Sequence, residues 1–167
     1  MQRSTVVRVG AIALIVLVTI GLDQTTKELA RTYLRDQGTV RVVGDVFIFR
    51  YVENVGGFLS LGSRLPGAVR TGLLVAFPLA ALAWLVISMV RSSTLSWRLL
   101  TGLSFIAGGG FGNLFDRVFH GGHVSDFMNL GIGNLRTGIF NVADMAIMAG
   151  CVLLLISPAT RVSAKAG

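Results

Sequence analysis

The chain has 167 residues, of which 53% are hydrophobic and 14% charged, with a mean hydropathy of +0.72. That length suits one domain, and that composition excludes an ordinary soluble globule. The net charge of +7 raises nucleic acid as a partner, but the Lys and Arg residues mostly flank apolar segments instead of lining one soluble face, so the partner they fit is anionic lipid headgroups and not nucleic acid.

Four segments are long and apolar enough to be read as helical crossings of ~30 Å of hydrocarbon, at about 6–22, 71–90, 99–115 and 138–157. The first follows Arg3 as a signal peptide would, yet no small-x-small cleavage site follows it and three further apolar segments do, so it is read as a retained crossing. Between the first and second crossings, Val40 to Tyr51 (VRVVGDVFIFRY) is rich in β-branched and aromatic residues and partly alternates, which predicts a small β element outside the bilayer within a cap region of about 36–66. Gly56, Gly57 and Gly62 mark a turn region after it. The lone Cys151, inside the last apolar run, offers neither a disulfide framework nor a thiolate cluster.

Four crossings put both ends of the chain on one side. The flanks on that side carry Arg3, Arg8, Arg91, Arg98, Arg161 and Lys165 and no acid, which favours a cytoplasmic placement of both termini. All eight acids, Asp23, Glu28, Asp36, Asp45, Glu53, Asp116, Asp126 and Asp144, fall on the other side or in the membrane near it.

Asp144 lies six residues after Gly138, an expected depth of about 9 Å into the fourth crossing at 1.5 Å per residue. A carboxylate there costs about 2.5–3.5 kcal/mol even on lenient insertion scales, so it is expected to face a bundle interior or a wet cavity and to have a function. The competing reading is a helix cap or a hydrogen bond to Asn141, in the second of two Asn-x-x-Asp repeats, Asn113 to Asp116 and Asn141 to Asp144. Asp126 is read in the loop HGGHVSDFMNL between the third and fourth crossings, seated at the membrane surface. Two carboxylates meeting in a low-dielectric site cannot both ionise cheaply; one keeps a proton and the other activates water, which is the chemistry of aspartic peptide hydrolysis and needs no metal or cofactor.

Other constellations are weaker. His120 and His123 are separated by a Gly pair and lack the HExxH pattern of helical zinc proteases, so no metal site is read there. Ser125 with His123 and Asp126 spells a triad, but near neighbours in sequence rarely converge on one reacting atom. Asp23 and Lys27 suit an i,i+4 ion pair anchoring the first crossing at the interface, and Arg117 is placed to brace an aspartate or a lipid phosphate. Gly108, Gly109, Gly110 and Gly112 allow helices to approach closely.

Five blocks in order, DQTTK from Asp23, ENVGGF from Glu53, GGFGNLFDR from Gly109, GHVSDF from Gly122 and FNVAD from Phe140, resemble those of the lipoprotein signal peptidase (signal peptidase II) family over nearly the whole chain. The resemblance implies an all-α polytopic fold of four transmembrane helices with a small extracytoplasmic β element in the bacterial inner membrane, forming a single peptidase domain. It implies an aspartic endopeptidase that cuts a diacylglyceryl-modified prolipoprotein before its lipidated cysteine, with Asp126 and Asp144 as the catalytic pair. Asp23, Lys27, Asn54, Gly56, Asn113, Arg117 and Asn141 match positions that line or support the family's site. Inhibition by globomycin is a family trait, and a monomer is expected. Gly57 stands where the family often has Ala, and Ser125 where an aliphatic residue usually precedes the aspartate. Two readings from other classes stand beside it: an ion or proton pathway subunit relaying through Asp23, Asp116 and Asp144, and a lipoprotein-binding protein without turnover.

Overall fold

In the computed structural model the described residues are 2–55 and 65–156, with side chains from Thr5 onward. Four helices and a small sheet account for them. Helix α1 runs Gln2–Tyr33, so the first apolar segment does not stop at Leu22 but continues for about three polar turns. Helix α2 spans Gly67–Arg91 and contains a π-helical turn at Gly72–Ala76. The cause lies just downstream: Pro78 has no N–H to give and its ring crowds the carbonyl four residues back, inside that turn. Helix α3 spans Trp97–Phe119, capped by the Ser96 hydroxyl accepting from Leu99 N, and α4 spans Val142–Leu155.

Helix α3 is central, with α1, α2 and α4 packed against it. Glycines set the approach of α3 to α4: a Cβ on Gly102 would lie 3.0 Å from the Gly150 carbonyl oxygen, and one on Gly109 would collide with the Ala143 carbonyl. A cluster of Ile12, Met89, Leu100 and Ala107 fills the bundle, whereas Leu17, Phe77, Trp84 and Leu155 are among many large apolar side chains left on the outside. Two helices, Thr5–Tyr33 and Gly67–Arg91, are long and apolar enough to cross a membrane, and Val142–Leu155 is a shorter apolar helix. Burial inverted in this way is what a lipid solvent permits and water does not.

The sheet is antiparallel in the order β1 (Thr39–Val43), β2 (Phe47–Asn54), β3 (Val124–Ile132), β4 (Leu135–Arg136). The expected β element is present as β1 and β2, but its larger partner, β3, occupies a stretch read from sequence as loop. Residues Val124 to Asn129 are all buried, so this strand has no polar-out alternation to announce it. Gly121 and Gly122, at φ 65° and 85°, make the turn that carries the chain from α3 into β3. Phe127 and Met128 pack with Ala30 of α1 and with Phe47, Phe49 and Phe140, fastening the sheet over one end of the bundle.

Candidate active site

The polar extension of α1 supplies one wall of the site. Asp23, Lys27 and Arg31 recur every four residues and so share a face. Lys27 Nζ lies 2.8 Å from Asp23 Oδ2 and 3.4 Å from Asp116 Oδ2, and all three side chains are fully buried. The i,i+4 pair therefore forms, with both side chains inside the protein. Arg31 lies 2.9 Å from Asp116 Oδ1 and donates to Ser125 Oγ at 3.0 Å, while Asp116 Oδ2 accepts the Ser125 backbone N–H at 3.0 Å. Two cations thus balance two carboxylates, and Asp116 ties α1 and α3 to the residue preceding Asp126. The second Asp23 oxygen accepts Ala143 N at 2.9 Å, pinning the start of α4.

Lys27 also donates to Asn113 Oδ1 at 2.9 Å. An ammonium only donates, so this contact fixes which end of the Asn113 amide is oxygen and aims Nδ2 at Asp144 Oδ1, 2.9 Å away. Asn141 bridges the other side, its Nδ2 donating to Asp126 Oδ1 at 2.6 Å and to Asn113 Oδ1 at 3.1 Å. Asn54, at the end of β2, donates to Asp126 Oδ2 at 3.1 Å. Each oxygen of both aspartates therefore accepts an N–H, the last being Asp144 Oδ2 from Asn141 N at 3.1 Å.

Asp144 is not about 9 Å inside its helix. Asn141 is the N-cap of α4 and Asp144 is N3, the two forming a reciprocal capping box, so the helix starts after Gly138 and the carboxylate sits in the first turn. Both readings of Asn141 and Asp144 therefore meet in one arrangement: the cap is real, and it holds Asp144 against Asn113. Asp126 sits in β3, not in a loop, and is 4% exposed. Burial pushes its carboxyl up to about 6; the Asn54 hydrogen bond opposes this, the nearby Asp144 charge adds to it, and Asn141 opposes it again.

Of the remaining expected residues, Arg117 donates to the Asn113 carbonyl at 3.3 Å, and its buried Nε has no hydrogen-bond partner among the described residues. It braces no aspartate by a hydrogen bond. Gly56 lies outside the described residues. His120 and His123 end near different acids, 3.7 Å from Asp116 and 3.9 Å from Glu53, and no group of three potential ligands forms among the described residues. Arg31 was missed by sequence reasoning, although its place in the Asp23, Lys27, Arg31 repeat is a visible signal.

A family model described as "Signal peptidase (SPase) II" matches residues 15–159. The chain is 36% identical over 161 residues to the lipoprotein signal peptidase of Bifidobacterium adolescentis, covering 93% of this chain and 80% of that protein. It is likewise 36% identical to that of Chlorobium luteolum, covering 93% and 98%, and 38% identical to that of Treponema pallidum, covering 81% and 76%. Among solved structures, a bacterial membrane enzyme determined by the in meso method at 1.9 Å resolution superposes with a TM-score of 0.74 at 25% identity, covering 88% of this chain and 91% of that one.

Proposed function

The chain belongs to the signal peptidase II family, and from that premise we propose that it removes signal peptides from lipid-modified bacterial prolipoproteins by aspartic peptide hydrolysis, with Asp126 and Asp144 as the catalytic pair. The observation that carries the chemistry is the shared amide cradle: Asn141 and Asn113 hold the two carboxylates to one another within a buried site. Burial raises Asp126, which suits it to carry the proton the pair shares and leaves Asp144 to act as the base.

The cycle then closes on itself. Water attacks the scissile carbonyl carbon, giving a proton to Asp144, while Asp126 protonates the carbonyl oxygen and a gem-diol forms. Asp126, now ionised, takes a hydroxyl proton as the C=O bond re-forms. The C–N bond breaks, Asp144 protonates the departing amine of the lipidated cysteine, and the starting state returns. Beside the pair, Lys27 and Arg31 offset the charges of Asp23 and Asp116. Asn54, Asn113 and Asn141 orient the carboxylates, Asp23 and Lys27 orient Asn113 and α4, and Gly56 belongs to the same support.

In this reading all four helices, α1 through its apolar part and α2, α3 and α4, cross the bacterial inner membrane within a single domain, with both termini cytoplasmic and the sheet capping the periplasmic end. The substrate enters sideways from the bilayer into a monomeric enzyme that globomycin inhibits. The ion-pathway alternative is not favoured, because Asp23, Asp116, Asp126 and Asp144 join one connected network instead of lying at successive depths. The test is a gel-shift assay of purified protein on a diacylglyceryl-modified prolipoprotein. Release of the signal peptide is expected; a well-folded protein that binds the substrate and releases nothing makes the chain a lipoprotein binder.

A further inference from the structure

On the lipid-facing side of the bundle, α1 and α2 leave an apolar groove between them, floored by Phe111 of α3, with a volume of about 360 Å³. Its walls are wholly aliphatic, including Val9, Ile12 and Val16 on one side and Ala83 and Ile87 on the other. The residues from Val9 to Val16 rise about 10 Å along α1, a large part of the ~15 Å hydrocarbon depth of one leaflet. Arg8 directly precedes Val9 of the lining on α1. Its guanidinium lies over the Trp97 ring at 5.5 Å and donates to the Leu95 carbonyl at 2.8 Å, while its buried Nε has no hydrogen-bond partner among the described residues.

We propose that this groove holds one acyl chain of an anionic phospholipid whose phosphate sits at Arg8. The inference rests on reading the helices as membrane crossings. Charge selects the occupant. Arg91 ends α2 and Arg98 begins α3 at the same end of the bundle as Arg8, and no acid occurs in residues 1–22 or 70–115. A basic rim of this kind attracts an anionic headgroup. It repels the other apolar rod available to the protein, a signal peptide, whose own charged region is basic and lies at the cytoplasmic end. The planar guanidinium is already held on Trp97 and Leu95, which fixes a charged, multi-donor group at this end of the bundle for a phosphate oxygen. Val16, the α1 lining residue nearest the site, precedes Asp23 by seven residues, about 10 Å along α1, so the groove ends one to two turns short of the aspartate cluster.

The experiment is native mass spectrometry of the full chain purified in mild detergent and titrated with phosphatidylglycerol or phosphatidylcholine of matched acyl chains. One phosphatidylglycerol is expected to bind in preference to phosphatidylcholine. Arg8→Gln is expected to weaken phosphatidylglycerol about fivefold and leave phosphatidylcholine unchanged. Ala83→Phe, or Ala13→Phe should the first fail to fold, is expected to abolish both by filling the groove. Equal binding of the two lipids, an unaffected Arg8→Gln variant, retention of lipid by the filled groove, or displacement of the lipid by a signal peptide each overturns the proposal. The readout is lipid mass, so it is independent of whether the protein cleaves prolipoproteins.

Discussion

Replacing Lys27 by Met removes the one ammonium that Asp23, Asp116 and Asn113 share. Asp116 keeps Arg31 at 2.9 Å, but Asp23 keeps only neutral donors, Ala143 N and Gln24 Nε2. Leaving a buried carboxylate without its cation typically costs about 3–5 kcal/mol, a large share of the roughly 5–15 kcal/mol that holds a domain together. The double variant Lys27→Met with Asp23→Asn removes the stranded charge and is expected to recover most of that loss. Unfolding of the three proteins in detergent mixed with increasing dodecyl sulfate, followed by helical circular dichroism, gives the numbers. Both variants are also expected to cleave more slowly than wild type, because Asn113 loses the donor that orients its amide. A Lys27→Met protein within about 1 kcal/mol of wild type, or a double variant no more stable than the single, refutes the counterion reasoning.

The remaining predictions concern pH and close packing. If Asp126 holds the catalytic proton, kcat/KM declines as pH rises through about 6, and Asn54→Ala moves that limb to higher pH by removing a hydrogen bond to the charged form. A pH–rate profile on both proteins checks it, and a limb that stays put in Asn54→Ala contradicts it. The same raised value makes the folded state hold this proton more tightly than the unfolded one, so stability falls as pH rises from 3.8 to about 6 and then levels. Denaturant melts of wild type against Asp126→Asn, which lacks the slope, measure this. Gly109→Ala drives a Cβ into the Ala143 carbonyl and is expected to cost roughly 1–3 kcal/mol and most of the activity, since α4 carries Asp144. Gly110→Ala meets the flexible end of Leu82 and is expected to be far milder in both melting and cleavage.

The apolar segments were legible because hydropathy reports directly on a lipid solvent, and α2 and α3 begin and end within a few residues of the expected limits. Helix starts were less so. The fourth begins at Val142 because Asn141 caps it, a choice made by local hydrogen bonds that a hydropathy count does not see. The burial of Lys27 was invisible for a related reason: its carboxylate partners and Asn113 come from turns of α1 and α3 up to 89 residues away from it. Strand β3 escaped because both of its faces are covered along Val124 to Asn129, so it reads as neither an alternating strand nor a helix. Asp144 stood out as an acid in an apolar segment, whereas Asp126, read in a loop, was picked out by its pairing with Asp144 and by the family resemblance; Asn141 gained its second task, the bridge to Asp126, only in three dimensions.

The central claim is that two aspartates in one amide cradle hydrolyse the bond before the lipidated cysteine. Single-turnover cleavage of a diacylglyceryl prolipoprotein by wild type, Asp126→Asn and Asp144→Asn, each shown by circular dichroism to be folded, tests it most directly. Both variants are predicted to lose roughly 10²–10⁴-fold or more in rate while still binding substrate. Cleavage by either variant at the wild-type rate contradicts the account.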